Sequence, residues 1–504
     1  IYTGTTRVEG GTLEIDGSIG GSGEVVVNHS GVSGGMTDGR LLIDSAGART
    51  LGNAGTGSGD LIVGDDNFGY LQHGADPGPT AATSTVGHDL IVGRSAGGDG
   101  LVDVNDGTTL NVTNQLRIGN GAGTGIVNVK AGSTLNVLGN TTIIDSPVPP
   151  DFGTLNIAGA FNENGDLIVG DNFTGVVNQT AGTASVNNDM NATGNLIMGR
   201  TSATSVGTYN LTDGTLWVHG DGTTAAGPAF GNSDIGAVGV GVVNQNGGTV
   251  LNDTHMTVGA GAAGSQYNLA AGTLNFRDRV ASTQAVATDN AASTLTVASG
   301  GDFNFTGGTL MNVSTIDVTA APAQSGAMYA GTFLQEGGDF VIGVDGGLDV
   351  NDANLTRALT QINGNFAQTG GSLTVDIFGD KVRGRSGEAG DNFFNLGDPL
   401  VYATDSDLLY VTGTAELDGS VDLTIASDLQ LPPWGWYDVV FANGGITLGS
   451  GFSVNGGAGL YRILDTPNGQ ILQVAVPEPA TLAVWSLLGL ALAGFGWLKR
   501  RRAA

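Results

Sequence analysis

Residues 100–112, GLVDVNDGTTLNV, return almost unchanged at residues 125–137 as GIVNVKAGSTLNV. Each segment contains two short runs in which apolar residues alternate with Asp, Asn or Thr, and a turn with Gly separates the runs. Alternation with a period of two is typical of a β-strand that buries one face. We therefore expect two strands and one turn in each copy.

A third run precedes such pairs and consists of a polar residue, a short apolar stretch and Gly. Copies stand at residues 60–64 (DLIVG), 89–93 (DLIVG), 115–119 (QLRIG), 166–170 (DLIVG) and 195–199 (NLIMG), with a degenerate copy at 141–145 (TTIID) and weaker echoes at 233–236 and 256–259. One unit of about 25 residues thus holds three short strands, which is one coil of a β-helix. Stacking such coils about 4.8 Å apart pairs each strand with its copy in the next coil and buries the apolar residues.

The first residues of the chain carry a related pattern. Residues 2–20, YTGTTRVEGGTLEIDGSIG, resemble the autotransporter-associated β-strand repeat of bacterial surface proteins. The resemblance implies a further coil at the N-terminus and an adhesin or surface-fibre context.

The composition excludes several classes of function. Lys plus Arg total 18 against 47 Asp plus Glu, which gives a formal net charge of -29. Because a phosphate backbone needs many cations, we expect no nucleic-acid partner. The 88 Gly lack the three-residue period of collagen, and the absence of Cys excludes disulfides and thiolate chemistry.

The C-terminus carries three features in succession. They are Pro477, Glu478 and Pro479, then the uncharged residues 480–498 (ATLAVWSLLGLALAGFGWL), then the basic residues Lys499, Arg500, Arg501 and Arg502. At about 1.5 Å per residue the uncharged stretch nearly crosses a hydrocarbon core of about 30 Å, so we expect a transmembrane helix. A basic cluster beside such a helix is retained in the cytoplasm, which places the preceding chain outside it.

This succession resembles the PEP-CTERM sorting signal. The resemblance implies recognition of the tail by an exosortase-type membrane protease at the inner membrane. It also implies delivery to the cell surface or extracellular matrix of a bacterium with two membranes. The alternative is an ordinary membrane anchor that is never processed. We expect a leader peptide to precede Ile1.

These features predict an all-β protein: a parallel β-helix, or β-solenoid, with about three strands per coil, a β-rich C-terminal cap and one C-terminal transmembrane helix. The expected divisions are residues 1–52 (N-terminal repeat and first coils), 53–365 (solenoid repeats), 366–475 (the cap, or alternatively a small β-sandwich) and 476–504 (the sorting tail). We expect roughly a dozen coils in the second division.

Candidate catalytic groups are scattered along the chain. The five His are His29, His73, His88, His219 and His255, and their spacing fits no metal site. Acid pairs occur at Asp65 and Asp66, at Asp103 and Asp106, and at Asp405 and Asp407, and nothing marks one pair as the two carboxylates of a glycosidase. Asp60, Asp89 and Asp166 recur at equivalent repeat positions, as turn residues do.

We therefore assign no catalytic residue and expect a structural or adhesive surface protein that is not an enzyme. The alternative is a secreted carbohydrate-active β-helix enzyme, either a polysaccharide lyase or a hydrolase. Beyond the exosortase and the inner membrane, extracellular polysaccharide and further copies of the chain in a fibre are the expected partners. Aromatic residues available for glycan contact are Phe68, Tyr70, Trp217 and Trp434, although we expect Trp434 and Trp436 to pack within the cap.

Calcium is the metal that best suits the many Asp and Asn turns. Residues 162–166, NENGD, match a calcium loop only in part, and the GGxGxD repeat of calcium-binding β-rolls does not recur. We expect no cofactor and leave metal ligands unassigned, with loosely bound calcium as the alternative.

Overall fold

The structure is a computed structural model in which every regular element of the described residues is a β-strand. The described residues are 4–19, 23–28, 39–43, 47–52, 59–74, 82–121, 123–144, 152–188, 194–219, 232–253, 255–261, 263–276, 293–319, 331–342, 359–377, 406–425, 435–456 and 460–476. The predicted C-terminal helix at residues 480–498 lies outside them. The chain divides into two units, residues 1–338 and residues 339–504.

In residues 1–338 the strands stack in three parallel rows, which we name A, B and C in the order in which the chain visits them within a coil. Row A contains Thr6–Val8, Val25–Val27, Leu61–Val63, Leu90–Val92, Leu116–Ile118, Thr141–Ile143, Leu167–Val169, Leu196–Met198, Ser233–Ile235, His255–Val258, Thr294–Val297 and Thr315–Val318. Row B contains Thr12–Glu14, Gly39–Ile43, Gly69–His73, Asp99–Val104, Thr124–Val129, Phe152–Ile157, Thr174–Gln179, Val206–Leu211, Gly301–Phe305 and Thr332–Gln335.

Row C contains Gly47–Leu51, Ala82–Val86, Thr109–Val112, Thr134–Val137, Ala160–Glu163, Thr183–Val186, Thr215–Val218 and Thr309–Met311. Two longer strands, Val240–Asn252 and Ser265–Phe276, run through rows B and C without a break. Each strand pairs with its counterpart one coil away, and this arrangement is consistent with a β-solenoid.

The repeats found in the sequence fall in register. Gly100 pairs with Gly125 in row B, and Thr109 pairs with Thr134 in row C. All copies of the third run lie in row A, and the degenerate copy at Thr141–Ile143 pairs with the coils before and after it. The pairing therefore follows the sequence repeat even where the side chains have changed.

Apolar residues at alternate positions form the interior. In one coil Val102 and Val104 of row B and Leu110 and Val112 of row C are fully buried. Full burial of one such side chain stabilises the fold by about 1.5–3 kcal/mol, and every coil repeats this contribution. A single coil cannot cover these side chains by itself, so its strands become stable only when coils stack on one another.

Close packing at the corner between rows A and B requires glycine. A Cβ atom on Gly100 would lie 2.1 Å from the carbonyl oxygen of Val63, and one on Gly125 would lie 2.3 Å from that of Val92. Both separations are far inside van der Waals contact. This explains why Gly is the first or second residue of most row B strands.

In residues 339–504 parallel stacking occurs in three further sets of strands. They are Leu359–Asn363, Leu408–Val411 and Gly435–Ala442; Asn365–Gln368, Ala415–Leu417 and Ile446–Leu448; and Asp339–Ile342, Ser372–Ile377, Ser420–Ile425 and Ser453–Asn455. The last two strands, Tyr461–Thr466 and Gly469–Val476, pair antiparallel with each other, and the second of them also pairs antiparallel with Gly435–Ala442. The division of the chain at residue 366 and the cap stay predictions.

Candidate functional site

The sorting tail begins where the described chain ends. Strand Gly469–Val476 is the last described element, and Val476 is buried within it. Pro477, Glu478 and Pro479, the uncharged stretch and the basic residues from Lys499 to Arg502 lie outside the described residues. Among the described residues no helix is long and apolar enough to cross a membrane.

The recurrent Asp residues before row A form a ladder between side chains and backbone. Asp60 Oδ1 accepts the backbone N–H of Asp89 at 3.2 Å, and Asp89 Oδ1 accepts that of Gln115 at 3.1 Å. Further along, Asp166 Oδ1 accepts the N–H of Asn195 at 2.8 Å. Each carboxylate thus satisfies a corner amide of the next coil, which supports the interpretation of these residues as turn residues.

The structure brings His88 to two of these carboxylates. His88 Nδ1 lies 2.6 Å from Asp60 Oδ1 and 3.4 Å from Asp89 Oδ1, so the three residues offer ligand atoms within 4.8 Å of one another. This grouping was not visible in the sequence, where the residues are 28 and 1 positions apart. Both Oδ1 atoms already accept backbone N–H groups, and Asn114 Nδ2 donates to Asp89 Oδ1 at 2.6 Å. Hydrogen bonding within the corner accounts for the grouping.

Asp65 joins an ion pair between coils. Its Oδ1 accepts Arg94 Nε at 2.7 Å, and this hydrogen bond is the main cause that raises the pKa of Arg94. The contact recurs where Asp171 accepts both Nε and Nη2 of Arg200, at 2.9 and 2.7 Å. Asp66, the other half of the predicted acid pair, is exposed. Asp65 is therefore engaged in a contact between coils, whereas Asp66 is accessible to solvent.

Asp103 is the centre of a polar group on row B. It accepts the Tyr70 hydroxyl at 3.0 Å and Asn128 Nδ2 at 2.7 Å, and Lys130 Nζ lies 3.3 Å from its Oδ2. Its predicted companion, Asp106, is exposed in the next turn. In the third pair, Asp407 is buried and accepts the backbone N–H of Asp376, whereas Asp405 lies outside the described residues.

The remaining His residues have separate surroundings. His73 is buried on row B, where its Nε2 lies 2.8 Å from Ser84 Oγ. Burial, with a smaller effect of the Arg49 charge, lowers the pKa of His73 to about 4. His219 stacks on Trp217 at a ring-centroid distance of 3.9 Å. His255 begins a row A strand, and His29 lies outside the described residues.

The described members of the set of aromatic residues proposed for glycan contact are half-buried. Phe68, Tyr70 and Trp217 belong to this class, and Trp217 Nε1 donates to Asp253 Oδ2 at 3.0 Å. Trp434 lies outside the described residues, and the Arg462 guanidinium lies 4.2 Å from the ring centroid of Trp436.

A buried corner motif escaped the sequence analysis. Gln179 Nε2 donates to the carbonyl oxygens of Gly182, at 3.3 Å, and Thr215, at 2.9 Å, while its Oε1 accepts the Tyr209 hydroxyl at 2.6 Å. The same Gln-to-Gly bond closes further corners at residues 245–248, 335–338 and 368–371. The sequence signal is the spacing Gln-x-x-Gly, which places a buried side-chain donor three residues before the turn carbonyl oxygen that accepts its hydrogen bond.

An asparagine ladder follows the outward face of row B. Its members are Asp103, Asn128, Asn156, Asn178, Asn210, Asn244, Asn268 and Asn304, joined coil to coil by amide Nδ2 donors at 2.6–2.9 Å. Every donor points towards the preceding coil, so the amide dipoles align. The carboxylate of Asp103 accepts the first donor, which gives the ladder a charge-assisted end.

The class of protein follows from these contacts and from the fold: an all-β chain of stacked parallel strands whose repeated polar residues bond one coil to the next. Residues 475–502 match the PEP-CTERM protein-sorting motif, which includes Pro477, Glu478, Pro479 and the basic residues. The recognition of this motif in the sequence is confirmed. It indicates exosortase-dependent export, membrane-anchored sorting and processing by that membrane protease. No curated protein matches the chain, and the autotransporter-type repeat at residues 2–20 stays a prediction.

Proposed function

We propose that this chain is a structural or adhesive protein of the cell surface or extracellular matrix, that it is not an enzyme, and that its repetitive surface performs its function. The observation that carries the proposal is the row B asparagine ladder, an unbroken series of seven coil-to-coil bonds on an outward face. Such a face offers the same contacts in each coil, as binding to a polymer or to further copies of the chain requires.

The positions of the acidic residues support this role. In the described part of the chain, Asp60, Asp65 and Asp171 bond to the next coil instead of converging on a cleft. A glycosidase needs two carboxylates on opposite sides of a scissile bond. A scaffold role accounts for the contacts of these residues better than a glycosidase active site does.

Export is tested in the native host. Replacing Pro477, Glu478 and Pro479 by Ala together is expected to abolish processing and to leave the intact chain in the membrane fraction, as measured by intact mass and fractionation. The matched control is Pro147→Ala with Pro149→Ala, because these residues form a Pro-x-Pro sequence outside the tail. Normal processing of the tail variant would contradict sorting through this motif. Export of the native chain without its retention at the surface would contradict the adhesive role.

The polar group around Asp103 favours the second candidate, a secreted carbohydrate-active enzyme. Tyr70, Asp103 and Lys130 lie together on one face, and a hydroxyl, a carboxylate and a cation are the components of general acid–base chemistry. Incubation with bacterial polysaccharides and assay of new reducing or unsaturated ends distinguishes the candidates. Activity in the native chain that Lys130→Met abolishes would favour the enzyme.

A further inference from the structure

A cleft of about 350 Å³ opens between two coils near the end of the first unit. One wall is formed by residues 297–299 and 301–305, and the described part of the other wall is formed by residues 318, 319, 331–334 and 336. Its volume lies at the lower end of the range of about 300–1,000 Å³ that is typical of small-molecule sites.

The cleft exists because the backbone ladder of row B is interrupted there. Strand Gly301–Phe305 pairs with the preceding coil at five positions, but its only pair with Thr332–Gln335 is Phe305 with Gln335. In row A the same two coils remain paired at all four positions from Thr294 to Val297. The coils therefore separate at the corner between the rows, and strand edges that are covered elsewhere face the cleft.

The asparagine ladder also ends at the cleft. Asn304 Nδ2 donates to Asn268 Oδ1 at 2.6 Å, and Asn304 is the last member of the series. The next strand of row B, Thr332–Gln335, has a partly exposed Leu334 and no Asn. Among the described side chains none donates to Asn304 Oδ1. An amide oxygen that would otherwise bond the next coil is thus left at the wall of the cleft.

The lining combines apolar and polar groups. Phe303 and Phe333 lie with ring centroids 5.6 Å apart, and Phe303 keeps 7% of its surface exposed whereas Phe333 keeps 1%. Asp302 and Glu336 add exposed carboxylates. Lys, Arg and His are absent from the described residues that line the cleft.

We propose that this cleft binds a neutral saccharide unit of an extracellular polysaccharide. The Asn304 and carboxylate oxygens accept hydrogen bonds from sugar hydroxyl groups, and the exposed side chain of Leu334, with the small accessible part of Phe303, covers sugar C–H groups. Two carboxylates without a compensating cation repel uronate, sulfate and phosphate groups. The inference rests on the proposed adhesive function and assigns it a ligand class and a place.

The test uses the purified full-length chain and isothermal titration calorimetry. The probes are cellohexaose, chitohexaose, maltohexaose and mannohexaose as neutral oligosaccharides and hexagalacturonate as the acidic one. We expect at least one neutral probe to bind about tenfold or more tightly than the acidic probe. Asp302→Ala and Asn304→Ala are each expected to weaken that binding by about fivefold or more.

Matched controls separate the cleft from general effects. Asp99→Ala removes an exposed row B carboxylate where the ladder is complete, and Asn136→Ala removes a half-buried row C amide, outside the row B ladder, that bonds Asn111 and Asn162. Both controls are expected to keep the affinity within about twofold. Equal losses in cleft and control variants, tighter binding of the acidic probe, or no binding of a neutral probe would overturn the inference.

The proposed function has a separate readout. The double variant Asp302→Ala, Asn304→Ala is followed in the native host. If it no longer binds the neutral probe in calorimetry but is still retained in the matrix fraction, the adhesive role stands without the cleft. Loss of surface retention in a chain whose cleft still binds the neutral probe would contradict the adhesive role alone.

Discussion

Glu163 lies in register with Val137 of the preceding coil on row C, and its side chain is fully buried. Burial raises the pKa of this carboxyl well above its usual range; the neighbouring Thr141 opposes the effect, and the charge of Asp166 adds to it. The folded chain therefore holds this proton more tightly than the unfolded chain. The resulting stability is complete below the unfolded pKa and is lost as pH rises through the folded pKa.

Glu163→Gln is expected to stabilise the protein at pH 8 by about 1–3 kcal/mol, because an amide stays neutral in the same buried position. At pH 4, where the native carboxyl is protonated, the substitution is expected to change stability little. Urea unfolding followed by circular dichroism at both pH values measures the difference. Glu14→Gln, at an exposed position, is the control, and equal shifts at pH 4 and pH 8 would contradict the prediction.

The contribution of His73 to stability changes with pH in the opposite direction, and it does so at lower pH. Because its pKa is lowered to about 4 from an ordinary value of 6.5, the folded chain binds fewer protons than the unfolded chain between these values. Stability is therefore lost as pH falls from about 6.5 to about 4, by up to about 3 kcal/mol.

His73→Gln is expected to remove most of this acid-dependent loss, because the amide can still bond to Ser84 and does not titrate. The measurement is urea unfolding at pH 7, 5.5 and 4. His255→Gln, in which the replaced residue is half-buried at the start of a row A strand, is the control. An acid-dependent loss as large as in the native chain would show that other groups cause it.

The position of His73 was predictable in part. In the run GYLQH at residues 69–73, Leu71 faces inward, so a period of two also places residue 73 inward. The spacing of the five His along the chain does not show that His73 is buried, whereas the alternation within this run does. The contact with Ser84 was not predictable, since it joins adjacent rows whose angular relation depends on the turn between them.

At the scale of strands, the sequence repeat predicts pairing partners but not the side-chain bonds between them. The recurrence of Asn in GIVN, GVVN and GTYN shows that one outward position is conserved along row B within this chain. The common direction of the amide donors depends on side-chain rotamers, which a sequence pattern does not contain. The Gln-x-x-Gly corners were missed for a different reason: a single buried Gln breaks the apolar alternation and looks like a loop residue.

Asn178→Ala is expected to remove two ladder bonds, to Asn156 and from Asn210, and to cost about 1–3 kcal/mol. Because each coil contacts mainly its neighbours, the loss is expected to be local. Relative to the native chain, we expect amide hydrogen exchange in the variant to speed up more in three strands than in distant row B strands. The three strands are Phe152–Ile157, Thr174–Gln179 and Val206–Leu211. Thr154→Ala, another half-buried outward position of the same row, is the control, and a uniform change along the row would contradict a local role for the ladder.

At the scale of the whole molecule, the all-β class, the parallel coils and the sorting motif were predictable because each is a repeated or ordered pattern in the chain. The cleft at Asn304 was not, since it arises where one strand pairs fully with the preceding coil and at one position with the next. A break in pairing leaves little trace in composition. The replacement of Asn by Leu334 at the equivalent ladder position is the one sequence signal that accompanies it.

The net charge of -29 makes the stability of the protein sensitive to dissolved ions, even when those ions occupy no specific site. Self-repulsion of so many carboxylates destabilises a compact chain, and any cation that screens them restores stability. In the described chain the ligand atoms Asp60 Oδ1 and Asp89 Oδ1 already accept backbone N–H groups. A divalent ion bound to these two atoms would compete with those hydrogen bonds.

We therefore expect Ca²⁺ and Mg²⁺ at equal ionic strength to raise the melting temperature by the same amount, and EDTA at constant ionic strength to leave it unchanged. Differential scanning calorimetry in matched NaCl, MgCl₂ and CaCl₂ measures this. His88→Asn provides a control at the only described group of three potential ligands. An increase that is specific to Ca²⁺ and saturates would show site binding, and its loss in His88→Asn would place that site at the corner of Asp60 and Asp89.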